Sequence, residues 1–349
     1  IGDEKLGWET TTQLDIGLSF ELLDGKIKGE FDYYDKLTSD LLMPYPASAL
    51  TGVTNYTRNV GEISNKGVEF SLSTTNIESN NFRWVTTFNI AYNKNEVLKL
   101  NDDLGGNADI GGLFEGSGIY VGFPVGVTEL VEWGGVDPST GDDIYFDKDG
   151  QKLLFSEIID QYGRFGSFFR DNRRPMGNPW PKFTGGFANK ISWKNWYLDC
   201  FFTFAYGAEA IVGEQKRSYG AFGRTKYNPT TNILDRWRSP GDITNVSRLT
   251  SFNPSFQNTT RYLHKVDYIR MRDLTVGYAF NTEQGIFKRI NLYAKLTNFL
   301  TFTNAPDFYW DPEFSGVVQN RSQNNINTIN NDKSAPQAKT MSLGLKIDL

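Results

Sequence analysis

Apolar and polar residues alternate along nine stretches of this chain, most of them about ten to thirteen residues long, the period of a strand with one greasy face. Residues 9–20 set Leu14, Ile16, Leu18 and Phe20 against Gln13, Asp15, Gly17 and Ser19, and Asp24-Gly25 follows as a hairpin signal. Residues 26–36 return with Ile27, Phe31 and Tyr33 opposite Lys28, Glu30 and Asp32. Residues 66–75 and 82–93 carry Val68, Phe70 and Leu72, then Phe82, Trp84, Phe88, Ile90 and Tyr92. Residues 183–192 and 196–206 form a close pair, and 266–280 with 290–300 form another. The last stretch, 337–349, puts Met341, Leu343, Leu345, Ile347 and Leu349 on one face.

The connections alternate in length. Short turns follow Phe20, Thr75, Ser192 and Phe280, while long polar segments rich in Gly, Asn and Asp follow Lys36, Asn93, Tyr206 and Leu300. Outer-membrane barrels have this asymmetry, with short periplasmic turns and long external loops. The parity sends the final strand inward, so the C-terminus is expected in the periplasm and the long loops outside. Counting back places Ile1 on the external side, so the chain reads as the back part of a larger barrel. A one-residue slip of 26–36 would move Lys28, Glu30 and Asp32 into lipid, where each Lys costs on the order of 2–4 kcal/mol at mid-depth. The charged face is therefore expected to line water. Trp193, Trp196, Phe82, Trp84 and Phe280 fall at the short-turn ends and Tyr33, Tyr92 and Tyr206 near the long loops, as two interfacial girdles would. The expectation is an all-β fold, a transmembrane antiparallel β-barrel.

Composition narrows the function. No stretch approaches the roughly 18–20 apolar residues of a spanning helix. One Cys excludes an internal disulfide and a Cys-based zinc site, and one His leaves little room for triad chemistry. A net charge of −5 argues against a nucleic-acid surface. The first eight residues lack the basic and apolar regions of a signal peptide.

Several ordered strings carry a resemblance. Residues 59–72 (NVGEISNKGVEFSL), 177–187 (GNPWPKFTGGF), 235–242 (DRWRSPGD), 268–280 (YIRMRDLTVGYAF) and 291–303 (NLYAKLTNFLTFT) resemble the C-terminal half of SusC-like TonB-dependent transporters of Bacteroidetes. Asp311-Pro312-Glu313 and the ending 338–349 do so too. The resemblance implies a 22-stranded barrel of which residues 1–349 form the C-terminal segment, the N-terminal plug domain and the remaining strands lying outside this chain. It also implies a TonB box and a SusD-like surface lipoprotein acting as a lid, with pairing of transporter–lid units into dimers left open. Two positions depart from the family pattern: Asp147-Lys148-Asp149-Gly150 keeps only part of its acidic turn, and the terminal Leu349 stands where an aromatic is common.

Candidate chemistry is sparse. Asp142, Asp143, Asp147 and Asp149 admit a cation, but the closing Glu is missing and a plain Asp-Gly hairpin is favoured; no metal and no cofactor are expected. His264 lacks a nucleophile-and-orienter set, so an enzyme is not expected. Cys200 shares the apolar parity of Leu198 and Phe202 and reads as a small lipid-facing hydrophobe. The loop aromatics Trp133, Trp237, Tyr309 and Trp310 are the ligand-binding candidates, set against packing within the loops or against the lid. Gln13, Asp15, Asn89, Asp199 and Lys295 are expected on the channel wall, holding a plug rather than a substrate. The function expected is TonB-dependent active import of a bulky nutrient, oligosaccharide before oligopeptide. A passive porin or surface-anchoring barrel is the alternative.

Overall fold

The structure is a computed structural model, which describes residues 4–46, 50, 52–53, 55–100, 107–108, 119–163, 165–211, 231–249, 258–281, 287–305, 311–313 and 336–348. Its nine long strands coincide with the nine alternating stretches. They are β1 (Thr10–Leu22), β2 (Ile27–Ser39), β3 (Gly61–Glu78), β4 (Phe82–Leu100), β5 (Phe183–Trp193), β6 (Trp196–Tyr206), β7 (Tyr268–Asn281), β8 (Arg289–Thr297) and β9 (Thr340–Asp348). Each pairs antiparallel with the next in chain order, so the sheet is a simple meander from β1 to β9, and the short strand Thr301–Thr303 adds to the long-loop end of β7.

Period-2 geometry and the register together sort the side chains. Leu18 pairs with Phe31, Phe31 with Phe70, Phe70 with Ile90 and Ile90 with Gly185, so one apolar row crosses five strands. Farther round, Ile290 lies between Phe280 and Ile347, and Leu292 between Tyr278 and Leu345. The opposite face carries Ser19, Glu30, Ser71, Asn89, Gly186, Thr203 and Arg270 in another continuous row.

Among the described residues no layer covers the apolar face. Leu14, Ile16 and Leu18 are 55%, 58% and 62% exposed, and Leu343 is 79% exposed. A water-soluble sheet buries that face; a contiguous greasy band left bare marks contact with lipid or another apolar body. The largest buried side chains gather mostly in the long connections instead: Tyr145, Phe168, Phe169, Leu130, Ile158 and Tyr262.

At the short-turn ends the chain reverses tightly. Leu23, Asp24 and Gly25 all take positive φ, and Lys194, also at positive φ, turns a two-residue link closed by the Trp193–Trp196 pair. At the other end β3 and β4 run to 18 and 19 residues, beyond the 66–75 and 82–93 read from alternation. About 9–11 tilted residues cross a bilayer, so the surplus stands above it. There Val60, Ile63, Val97, Leu100 and Ile119 form a small core that buries both faces, which is why strict alternation stops before the strands do.

The long connections fold into a cap. A three-stranded sheet of Glu132–Val136, Asp143–Phe146 and Lys152–Leu154 leads into α1 (Phe155–Tyr162) and α2 (Phe165–Asp171). Their shared core holds Val131, Tyr145, Leu153, Phe155, Ile158, Phe168 and Phe169. Gly163 in the left-handed region ends α1 by donating its N–H to the Ile159 carbonyl. Among the described residues no helix is long and apolar enough to cross a membrane.

Candidate functional site

The polar face and the cap at its long-loop end form the region that can receive a solute. On the wall, Asp15, Glu30, Asp32 and Glu69 make the β1–β3 side acidic. Lys190, Arg270, Arg272 and Lys295 supply cations on β5, β7 and β8. The residues expected on the channel wall all take this face. Asp15 pairs with Tyr34, Asn89 lies between Ser71 and Gly186, and Asp199 lies between Lys190 and Thr275. Lys295 reaches Asp273 at 2.7 Å. Gln13 donates to both carboxylate oxygens of Asp15 at 2.9 Å.

Trp133 stands at the centre of a clamp between two long connections. Its indole N–H donates to Asp143 at 3.0 Å, and the guanidinium of Arg261 lies 4.7 Å from its ring centroid. Asp143, 3% exposed, also accepts from Ser247 at 3.0 Å and from Arg261 at 3.2 Å. A buried carboxylate with these donors is compensated, whereas stripping away its cation would leave a charge without solvent. Burial pushes the neighbouring Tyr145 hydroxyl well above its usual range, and the Asp143 charge adds to that. Beside it, Asp142 meets Arg248 at 2.7 Å. Trp237 donates to the Pro138 carbonyl at 2.9 Å and lies over Gly141, where a Cβ would come within 2.4 Å of the ring. Trp133 and Trp237 thus flank the same segment, 137–143, from two sides. Tyr309 and Trp310 lie outside the described residues.

The acidic turn is occupied by the protein itself. Asp147 accepts the backbone N–H groups of Asp149 (2.9 Å) and Gln151 (2.7 Å), the pattern of a self-capped hairpin. With Asp142 and Asp143 facing arginines, the four aspartates do not converge. Among the described residues no His, Cys, Asp or Glu group has the arrangement of a metal site. His264 sits in a short pair with Ala210, and burial lowers its pKa below the ordinary value. Cys200 is on the apolar face between Asn189 and Leu274.

A second cluster was not foreseen as one. Asp311-Pro312-Glu313 and the stretch around Arg270 were separate strings in the sequence, and in space they meet. The Arg270 side chain, 4% exposed, donates to Asp311, to Glu313 at 2.7 Å and to Thr301 at 3.1 Å. Arg272 pairs with Glu313, and donates to Thr203 at 2.9 Å and to Gln337 at 3.0 Å. Gln337 in turn donates its backbone N–H to Asp311 at 3.0 Å. Two fork-shaped guanidiniums thus pin the connection between β8 and β9 to the polar face of β7. In YIRMRDLTV both arginines share the parity of Leu274 and Val276, and a register shift at Arg272 carries them to the polar face. Alternation alone would have set them in lipid, and nothing local could have named their partners.

Comparison with known proteins follows this geometry. No family model matches the chain. TonB-dependent receptor P3 of Formosa agariphila is 32% identical over 99% of this chain and 35% of its own length. TonB-dependent receptor SusC of Bacteroides thetaiotaomicron is 26% identical over 99% of this chain and 32% of its own. Among solved structures, that of the RagAB peptide transporter superposes with a TM-score of 0.80 at 25% identity, covering 99% of this chain and 36% of that one. The chain therefore spans about a third of the length of the relatives it matches (35% and 32%). These relatives are receptors and transporters rather than enzymes. By sequence along nearly its whole length and by its antiparallel barrel strands, the chain is a relative of the SusC-like TonB-dependent receptors of the bacterial outer membrane.

Proposed function

We propose that this chain is the C-terminal arc of a single outer-membrane barrel that imports a bulky nutrient with energy delivered through TonB. One observation carries the reading: a bare apolar face backed by a continuous charged face, across nine strands in unbroken meander. A sheet with those two faces is stable only with hydrocarbon on one side and water on the other. Its two edges also need neighbours. Among the described residues β1 and β9 each pair on one side only, and an unpaired backbone group in hydrocarbon costs several kcal/mol. Further strands must close the sheet, and a plug filling the lumen is what the inward ring of carboxylates and cations would hold. The long connections then face outward, under a SusD-like lipoprotein lid, and the end of β9 lies in the periplasm.

Oligosaccharide is the leading substrate class, by the resemblance of the sequence strings to the SusC-like family alone. Oligopeptide is the second reading, favoured by the similarity to the RagAB peptide transporter. Trp133, Trp237, Tyr309 and Trp310 remain the candidate contacts. Trp237, half-buried over Gly141, offers an outer ring face, whereas the Trp133 face is engaged by Arg261. Uptake of labelled glycans and peptides by a deletion strain, with and without an energised inner membrane, tests the proposal. Loss of uptake of one class supports it; unchanged uptake of every compound contradicts it.

A further inference from the structure

The apolar face is hollowed at one place. Between the short-turn ends of β4, β5, β6 and β7 lies a concavity of about 470 Å3 lined by Phe82, Ile191, Trp193, Trp196, Leu198 and Val276. The register explains its shape. Trp193, Trp196 and Tyr278 form one cross-strand row at the rim, and Ile191, Leu198 and Val276 form the next row deeper. Tall rings therefore stand beside short branched chains. The Trp196 ring is held edge-on to Tyr278 (4.8 Å, 77°), and Tyr278 packs on Phe280 (4.6 Å), so the indole does not collapse over Leu198. Trp193 and Trp196 stay 54% and 50% exposed.

A cation sits at the mouth. The Lys194 ammonium lies 5.7 Å from the Trp193 ring centroid, and among the described residues it has no carboxylate partner. The Nε1–H groups of Trp193 and Trp196 likewise have no acceptor there. Apolar walls, two free indole donors and one free ammonium, ordered from deep to shallow, match the chain, ester and phosphate of a glycerophospholipid.

We propose that this hollow binds one glycerophospholipid of the leaflet on the short-turn side. An acyl chain lies along Ile191, Leu198 and Val276, and the phosphate rests on Lys194. A lipid seated between standing rings gains dispersion contacts on several sides, which a flat strand wall cannot give. The proposal rests on the reading of the apolar face as lipid-facing.

The test uses the full-length transporter, delipidated in mild detergent and titrated with palmitoyl-oleoyl phosphatidylethanolamine under native mass spectrometry. Wild type is expected to retain one lipid. Lys194→Glu should weaken retention about fivefold or more, by reversing the charge at phosphate depth. Val276→Trp should abolish retention by filling the hollow, whereas Leu343→Trp, on the same face but away from it, should change nothing. Heat-modifiable migration confirms that each variant is a folded barrel. No retained lipid in wild type, equal retention in all variants, or preference for purified lipopolysaccharide would each overturn the site. A spin label at Val276 separates this failure from a wider one. If the label reports lipid while nothing is retained, the site alone falls; if it reports water, the lipid-facing reading falls with it.

Discussion

Asn189 lies on the apolar face, four residues from Trp193, yet its carboxamide oxygen is fully used. It accepts from the Trp84 indole at 2.9 Å and from the Thr86 hydroxyl at 2.7 Å, and Asn76 extends the chain by donating to Thr86 at 2.7 Å. In hydrocarbon such groups are tolerable because they satisfy one another. Asn189→Ala would strand two donors, and an expected loss of about 1–3 kcal/mol should lower the midpoint of barrel unfolding in denaturant. An unchanged midpoint would mean that water reaches this depth. Close approach matters at single residues too. A Cβ at Gly277 would lie 2.2 Å from the Tyr197 ring, which crosses that strand so that its hydroxyl donates to Asn291 at 3.1 Å. Gly277→Ala should destabilise the barrel, and Tyr197→Ala in the same chain should recover much of the loss, read as a coupling energy in a double-mutant cycle. Facing direction was legible at this scale wherever a strand runs without a register shift, since alternation is local. Cys200, Asp199 and Lys295 fall on the faces their parity assigned, whereas the shift at Arg272 in β7 reverses it for both arginines. Partners were not. Asp143 and Arg261 are 118 residues apart, and no short-range pattern joins them.

At the scale of elements, the nine strands were readable because each must show one face to each solvent, whereas the cap obeys no such period. Its short strands, α1 and α2 are held by a local core around Tyr145, Phe168 and Phe169, and that core left only scattered aromatics in the sequence. The tie between the β8–β9 connection and the wall is ionic. Arg270→Ala would leave Asp311 and Glu313 partly or wholly buried without their main cation, a change worth about 3–5 kcal/mol when a buried pair is broken on one side. That connection should then exchange amide hydrogens faster and be cut sooner by external protease, with the strands themselves still protected. Replacing Arg270, Asp311 and Glu313 together by Met, Ala and Gln should restore much of the protection. If the single variant behaves as wild type, the pin has no part in ordering the connection.

At the scale of the molecule, a meander whose outer strands, among the described residues, pair on one side only is not self-sufficient in a membrane. Produced alone in detergent, residues 1–349 should associate through β1 and β9 or aggregate, while co-production with the proposed closing strands should yield a heat-modifiable barrel. A stable, monodisperse monomer of this chain alone would remove the argument for closure. The direct test of the two-solvent sheet is collision accessibility of spin labels placed one by one from Met341 to Ile347 in the reconstituted full-length protein, with Cys200→Ser as background. Met341, Leu343, Leu345 and Ile347 should favour oxygen, which concentrates in lipid, and Ser342, Gly344 and Lys346 should favour a water-soluble nickel chelate, with a period of two residues. Accessibility without that period, or leucine positions open to nickel, would contradict the account.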